Sequence, residues 1–173
     1  AYEIPLRLVG SDMCIRDRSY DTIANYISYL EDVFLIHRVE RCQVRTKEVV
    51  LGTCRYYIND WAFMHYLYPF FVREREVKFR NHVCLELKHA GYRVNVGVHR
   101  NKVIDFMARK DDRIIYIQCV STLENEVAMQ ASYASLESIQ DNYEKWVVSL
   151  DKTMLPSKEG IRHIQAWKLA EML

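Results

Sequence analysis

The sequence predicts an α/β fold, and three stretches carry that prediction. Over residues 102–120, KVIDFMARKDDRIIYIQCV, two apolar runs flank a polar tip at 110–113, the pattern of a β-hairpin closed at Asp111 and Asp112. Ahead of it, Phe79, Val83 and Leu87 form a helical stripe over about 76–90 that Gly91 stops. Behind it, a helix over about 121–140, with Ala128, Ala131, Ser132 and Ser135 as small residues for close approach to a sheet, leads into the apolar run 145–150. With a further strand at 92–98 the order is α-β-β-β-α-β, in which helices cover the faces of a sheet.

The remaining elements follow in order. Residues 1–18 are expected to be the segment least tied to the fold, because SDMCIRDR breaks the apolar spacing. Met13 to Arg18 reads as a translated sequencing-adapter string, the alternative being an ordinary surface turn. A helix is expected over 19–31, capped by Ser19 or Asp21, with Ile23, Ile27 and Leu30 on one face and Asn25, Ser28 and Tyr29 on the other. Strands are expected at 33–38 and 56–59, joined by a loop carrying Arg41, Arg45, Lys47 and Arg55. Residues 61–71, WAFMHYLYPFF, read as a short helix broken by Pro69 and packed as core between two lobes, with His65 at its boundary. A last strand is expected at 161–167, before a short helix that ends at Leu173.

Composition sets bounds. A chain of 173 residues that is 50% apolar can bury one good core or two small ones. A formal charge of +1 neither requires nor forbids nucleic acid as a partner. The five cysteines lack a CxxC pair and metal-ligand spacing, which points to reduced thiols in a cytosolic protein, with Cys84 and Cys119 as small core residues. No apolar run reaches the ~18 residues of a membrane span, so no membrane partner is expected. There is no GxxxxGK[ST], so no P-loop ATP chemistry is expected of this chain. Ser121 and Ser149 lie at strand ends, but no His and Asp fall in register to make a triad with either, so acyl transfer is not expected.

The hairpin carries the chemistry. Alternation puts Val103, Asp105 and Met107 on one face of the first strand, and Tyr116, Gln118 and Val120 on one face of the second. An acid between Ile104 and Phe106 is either a capped or edge residue, or part of a site. Arg80 lies one turn before Val83 and Cys84, within reach of Asp105 as an ion-pair partner.

These residues carry two resemblances. The order of elements, with Asp105 and then Gln118-x-Val120, resembles the restriction-endonuclease-like, or PD-(D/E)XK, fold. There an Asp on the second strand and a Glu/Gln-x-Lys on the third build a magnesium site, often joined by a Glu in the first helix. Two hard oxygen ligands hold the cation and the Lys orients the attacking water. Here Val120 stands in the Lys position and Arg80 in the Glu position. More narrowly, HVCLELKHAGYRVNVG, KVIDFMA and RIIYIQCV resemble the C-terminal domain of unknown function of bacterial and archaeal AAA ATPases, which follows a winged helix. TIANYISYLEDVFLIHRVER, RYYINDWAFMHYL, DNYEKWVVSLD and EGIRHIQAW resemble its other segments, extending the likeness over about 19–173.

The resemblance implies a winged-helix-like region at 1–71 and an endonuclease-like domain at 72–173. The expected function is that of a non-catalytic module of a prokaryotic AAA ATPase, cytoplasmic, binding DNA or the ATPase domain of the parent chain. No cofactor is expected in the chain itself, and ATP binding would belong to the parent. The basic residues Arg41, Arg45, Lys47 and Arg55 form the expected wing, able to meet phosphates or equally to dock on the ATPase domain; a solvated basic loop is the alternative. One alternative is a magnesium-dependent nuclease in which Glu86 supplies the missing carboxylate, although six residues of helix turn it well away from the face of Arg80. The other is a protein-interaction domain without a nucleic-acid role.

Overall fold

The structure, a computed structural model, describes residues 2–4, 20–67, 75–124 and 126–173. The expected foreign string at 13–18, Pro69 and Cys14 lie outside them. The fold is mixed α/β, built on one eight-stranded sheet. The elements are β1 (Tyr2–Ile4), α1 (Tyr20–Asp32), β2 (Ile36–Gln43), β3 (Val49–Ile58), α2 (Trp61–Leu67), α3 (Arg75–His89), β4 (Arg93–His99), β5 (Lys102–Lys110), β6 (Arg113–Val120), α4 (Glu126–Glu137), β7 (Glu144–Ser149), β8 (Ile161–Gln165) and α5 (Leu169–Met172). The strand order is β1-β3-β2-β4-β5-β6-β7-β8. Hairpin neighbours pair antiparallel, whereas β2–β4, β6–β7 and β7–β8 pair parallel. The sheet therefore crosses the expected boundary at residue 72: β2 lies beside β4, with Arg41 opposite Val96 and Gln43 opposite Val98.

Two apolar layers cover the sheet. On one face α3 and α5 close over Val39, Tyr57, Val94, Val96, Phe106, Ile117, Trp146 and Ile164. On the other, α4 lies over Tyr116, Val120, Val147 and Ile161. The α4 packing is made by the large side chains Tyr133 and Leu136, with Ser132 as the buried small residue, while Ala131 is exposed. The helix is also shorter than the apolar spacing suggests, because residues 121–124 are spent on a turn. There Asp151 accepts hydrogen bonds from Thr122 Oγ1 (2.8 Å) and Leu123 N (2.7 Å). Cys42, Cys54, Cys84 and Cys119 are free thiols, all buried.

Two expectations fail in the N-terminal part. The basic loop of 39–55 is mostly sheet: β2 and β3 extend through it, so Arg41 and Arg55 are strand residues, and only Arg45 and Lys47 sit in or beside the turn. The cause is pairing, since Cys42 lies opposite Val49 and Arg41 opposite Val50, which carries β2 on to Gln43 rather than 38 and starts β3 at Val49 rather than 56. The aromatic helix α2 is not core. None of its residues is buried, Phe63, Tyr66 and Leu67 are 49%, 85% and 59% exposed, and His65 is exposed. Seven residues that are apolar on every side can turn only one side inward.

The hairpin at the centre closes as expected, with Lys110 opposite Arg113 and Asp111 at φ 51°, a left-handed conformation that Asp tolerates. Its first strand is not regular. Asn95 of β4 pairs with Met107 and Gly97 with Ile104, so two steps along β4 span three along β5. That extra residue is a β-bulge, and it breaks the alternation. Ile104 and Met107 pack in the α4 layer while Phe106 packs in the α3 layer. Gly97 makes the bulge possible, because a Cβ there would lie 2.9 Å from Ile104 Cβ and 3.2 Å from Val44 Cγ2.

Candidate functional site

Asp105 sits in this bulge, 5% exposed, with its carboxylate toward α3. The expectation that it shares a face with Met107 is therefore corrected: the extra residue turns it to the opposite side. The bulge also ends the β5–β6 ladder at Phe106 opposite Ile117, leaving two backbone groups to be satisfied by side chains. Asp105 N donates to Gln118 Oε1 at 3.3 Å, and Cys119 N donates to Asp105 Oδ2 at 3.0 Å. The two hairpin residues singled out in the sequence thus take over where main-chain pairing stops.

Two cations meet the other carboxylate oxygen. Arg80 Nε lies 3.1 Å from Asp105 Oδ1, and Arg55 Nη1 lies 3.4 Å from the same atom. The Arg80 contact is a charge contact rather than an aligned hydrogen bond, since Nε–H does not point along the line to the oxygen. Burial is the largest influence on Arg80 and would lower its pKa; the charges of Asp105, Cys119 and Glu76 together outweigh it, and the guanidinium is held above its ordinary value. Glu76, one turn earlier on α3, lies 3.8 Å from Arg80 Nη2 and accepts a hydrogen bond from Ser121 N at 2.9 Å. Burial first, and then the Asp105 charge, push the neighbouring Cys119 thiol well up, so it is not a nucleophile.

The placement of α3 explains the geometry. Asn81, 2% exposed, donates to Ile58 O (2.8 Å) and accepts from Ile58 N (2.9 Å), pinning the helix to the end of β3. With Asn81 fixed, Arg80 falls over Asp105. Arg55 arrives from the same hairpin arm, two residues before Tyr57, whose ring packs 5.6 Å from Phe106. Two carboxylates and two guanidinium groups therefore form a closed, neutral cluster.

Gln118 and Val120 lie on the other face. Gln118 is opposite Val147 in the parallel pair, and Val120 is buried among the α4 layer with Tyr116. The Asp105 carboxylate and the Val120 side chain thus face opposite layers, while the Gln118 amide oxygen is engaged by the Asp105 main-chain N–H. Among the described residues no three His, Cys, Asp or Glu side chains come together as a metal site. Glu86, the alternative carboxylate, sits on α3 with His82 Nδ1 3.8 Å away, and not with Asp105.

The wing residues separate. Arg55 belongs to Asp105, its side chain 14% exposed. Arg41 is a half-buried strand residue beside Val96. Lys47 folds back over the α4 face: Nζ contacts the Tyr116 hydroxyl and lies 3.3 Å from Asp141 Oδ2, which accepts from Tyr116 Oη at 2.7 Å. Burial, then the Asp141 hydrogen bond, push the Tyr116 hydroxyl far above its ordinary range. Only Arg45 is left exposed in the turn.

The structure also unites Ser149, His163 and Asp151, a trio the sequence does not suggest. Ser149 Oγ is 2.9 Å from His163 Nε2 and 2.9 Å from Asp151 Oδ2. It is not a nucleophilic arrangement. Leu155 N donates to His163 Nδ1 at 3.0 Å, so the ring proton is on Nε2 and faces the serine. The serine then donates to Asp151, and it is fully buried. The trio ties β7, β8 and the loop between them.

No family model matches the chain, and no solved structure matches it. An uncharacterised protein of Haemophilus influenzae is 30% identical over 131 residues, which are 76% of this chain and 32% of that protein. The chain thus spans about a third of the length of the curated relative it matches.

Proposed function

We propose that the chain is a non-catalytic, PD-(D/E)XK-like module of a longer prokaryotic AAA ATPase, and that it docks on the rest of its parent. The observation that carries this reading is the neutralised Asp105. A magnesium site needs carboxylate oxygens open to a hard cation and its waters. Here one oxygen lies between Arg80 and Arg55 and the other accepts Cys119 N–H, so a cation would have to displace two fixed positive charges. The docking half of the reading rests on α1 and α2. Tyr29, Val33 and Phe34 are 60%, 69% and 69% exposed, and Phe63, Tyr66 and Leu67 of α2 are uncovered as well. Exposed apolar surface of this kind marks an interaction face. A relative three times as long as the matched region is in keeping with a partner in the same polypeptide.

The test is association of the separately expressed remainder of the parent with this chain. Tyr29→Glu and Tyr66→Ser are expected to weaken it more than ten-fold without changing the circular dichroism of the chain. Unchanged association would remove the docking reading. Duplex DNA is the second reading, favoured by the exposed Arg45; Arg45→Gln should then lower the salt slope of binding by about one unit.

A further inference from the structure

A second feature, on the opposite face from Asp105, goes beyond that reading. Between the β2–β3 turn, the β4–β5 turn and the segment after α4 lies an open cavity of about 620 Å³. Its wall includes Arg45, Lys47, His99, Arg100 and Asp141, with Val44, Ile139 and Tyr143 as apolar surface. The fold brings these together through main-chain pairing: Val44 N donates to Val98 O at 2.9 Å, which sets the first turn against the second. Arg100, at φ 53°, occupies the left-handed corner of the β4–β5 turn.

The electrostatics are unbalanced. Three cations face one carboxylate, and that carboxylate is already taken by Lys47 and the Tyr116 hydroxyl. Arg45 and Arg100 are exposed and line a concave surface, where field lines concentrate. His99 Nε2 is buried and meets no hydrogen-bond partner among the described residues. A buried polar atom left without a partner is costly, and a ligand oxygen or nitrogen at that place would relieve the cost. The cavity volume falls in the range of about 300–1,000 Å³ usual for small-molecule sites, larger than one phosphate needs.

The geometry points to a binding site for a phosphate group carried on a nucleotide-sized body, with Arg45 and Arg100 meeting the phosphate and His99 Nε2 supplying a further contact. Lys47 holds the wall in place through Asp141 and Tyr116. The phosphate comes either from a mononucleotide or from a nucleic-acid strand.

The experiment is calorimetric titration of the whole chain with inorganic phosphate, adenosine monophosphate and a 5′-phosphorylated single strand. Phosphorus and histidine-ring nitrogen resonances are followed in parallel. Saturable binding is expected, with a shift of the His99 ring signal, and Arg45→Gln and Arg100→Gln should each weaken it about ten-fold, as for loss of one charge-assisted bond. His99→Phe, which keeps an aromatic ring and removes its polar atoms, should weaken binding without lowering the melting temperature. Adenosine monophosphate binding as tightly as the strand would mark a mononucleotide as the source; a tighter strand would mark a nucleic acid. Absence of saturable binding at millimolar ligand, or a double Arg45→Gln, Arg100→Gln variant that binds like the parent protein, would overturn the inference.

Discussion

Asp105 is held by charges on one oxygen and by a backbone N–H on the other, and this makes the consequences of mutation asymmetric. Removing the carboxylate leaves two guanidinium groups and the Cys119 amide without their partner. Breaking a buried pair in this way costs about 3–5 kcal/mol. Asp105→Ala should therefore lower stability by that amount in urea unfolding. Arg80→Ala should cost less, about 1 kcal/mol, because the contact is an ion pair without an aligned hydrogen bond, Arg55 still faces the carboxylate and the Arg80 side chain is 31% exposed. Equal, small effects of both changes would mean that the cluster is solvated. The Arg80–Asp105 contact was legible from the place of Arg80, one turn before Val83 and Cys84 on the buried stripe of α3, although the face that Asp105 uses was not. Arg55 was not: it lies 50 residues from Asp105 and depends on how β3 continues. Glu76 did carry a signal, an acid four residues before Arg80 on the same helix.

At the scale of elements, the bulge in β5 decides which face Asp105 uses. A bulge leaves no trace in an alternating pattern, so a reading that assumes period two puts Asp105 beside Met107. Gly97 is its local support, and the constraint is space rather than backbone freedom. Gly97→Ala should destabilise the protein by about 1–3 kcal/mol through overpacking against Ile104 and Val44. Ile104→Val in the same background should recover part of that loss; no recovery would place the strain elsewhere. The β7–β8 pair gives a pH dependence. Burial holds the His163 pKa below its ordinary 6.5, and Leu155 N–H needs Nδ1 unprotonated. The unfolded chain therefore binds a proton more readily than the folded one. This contribution is present above pH 6.5 and is lost as pH falls from there through the lower folded value. Urea midpoints measured between neutral and mildly acidic pH should fall more steeply for the parent protein than for His163→Gln. Identical slopes would show that the ring is not the titrating group. The spacing of Ser149, Asp151 and His163 did not reveal this trio, because β8 docks parallel to β7 and that register is a tertiary fact.

Across the whole molecule, the eight strands form one sheet, and the α3 layer draws Val39 and Tyr57 from the N-terminal hairpin and Phe106 and Trp146 from the C-terminal half. A core shared in this way predicts one cooperative transition. Amide exchange in β3 and β6 should report the same opening free energy, and two separated values would show two independently folding units. The α/β class and most strands could be read from apolar periodicity. The continuity of the sheet could not, since the short parallel contact of β2 with β4 follows a long excursion through β3, α2 and α3.

On the proposed reading Asp105 serves as an ion-pair partner and not as a metal ligand. The most direct test is manganese and magnesium titration of the intact chain by calorimetry, with supercoiled and linear DNA assayed for cleavage in the same samples. No saturable metal binding and no cleavage are expected, for the parent protein and for Arg80→Ala alike. Metal-dependent cleavage by the parent protein, abolished in a folded Asp105→Asn variant, would contradict it.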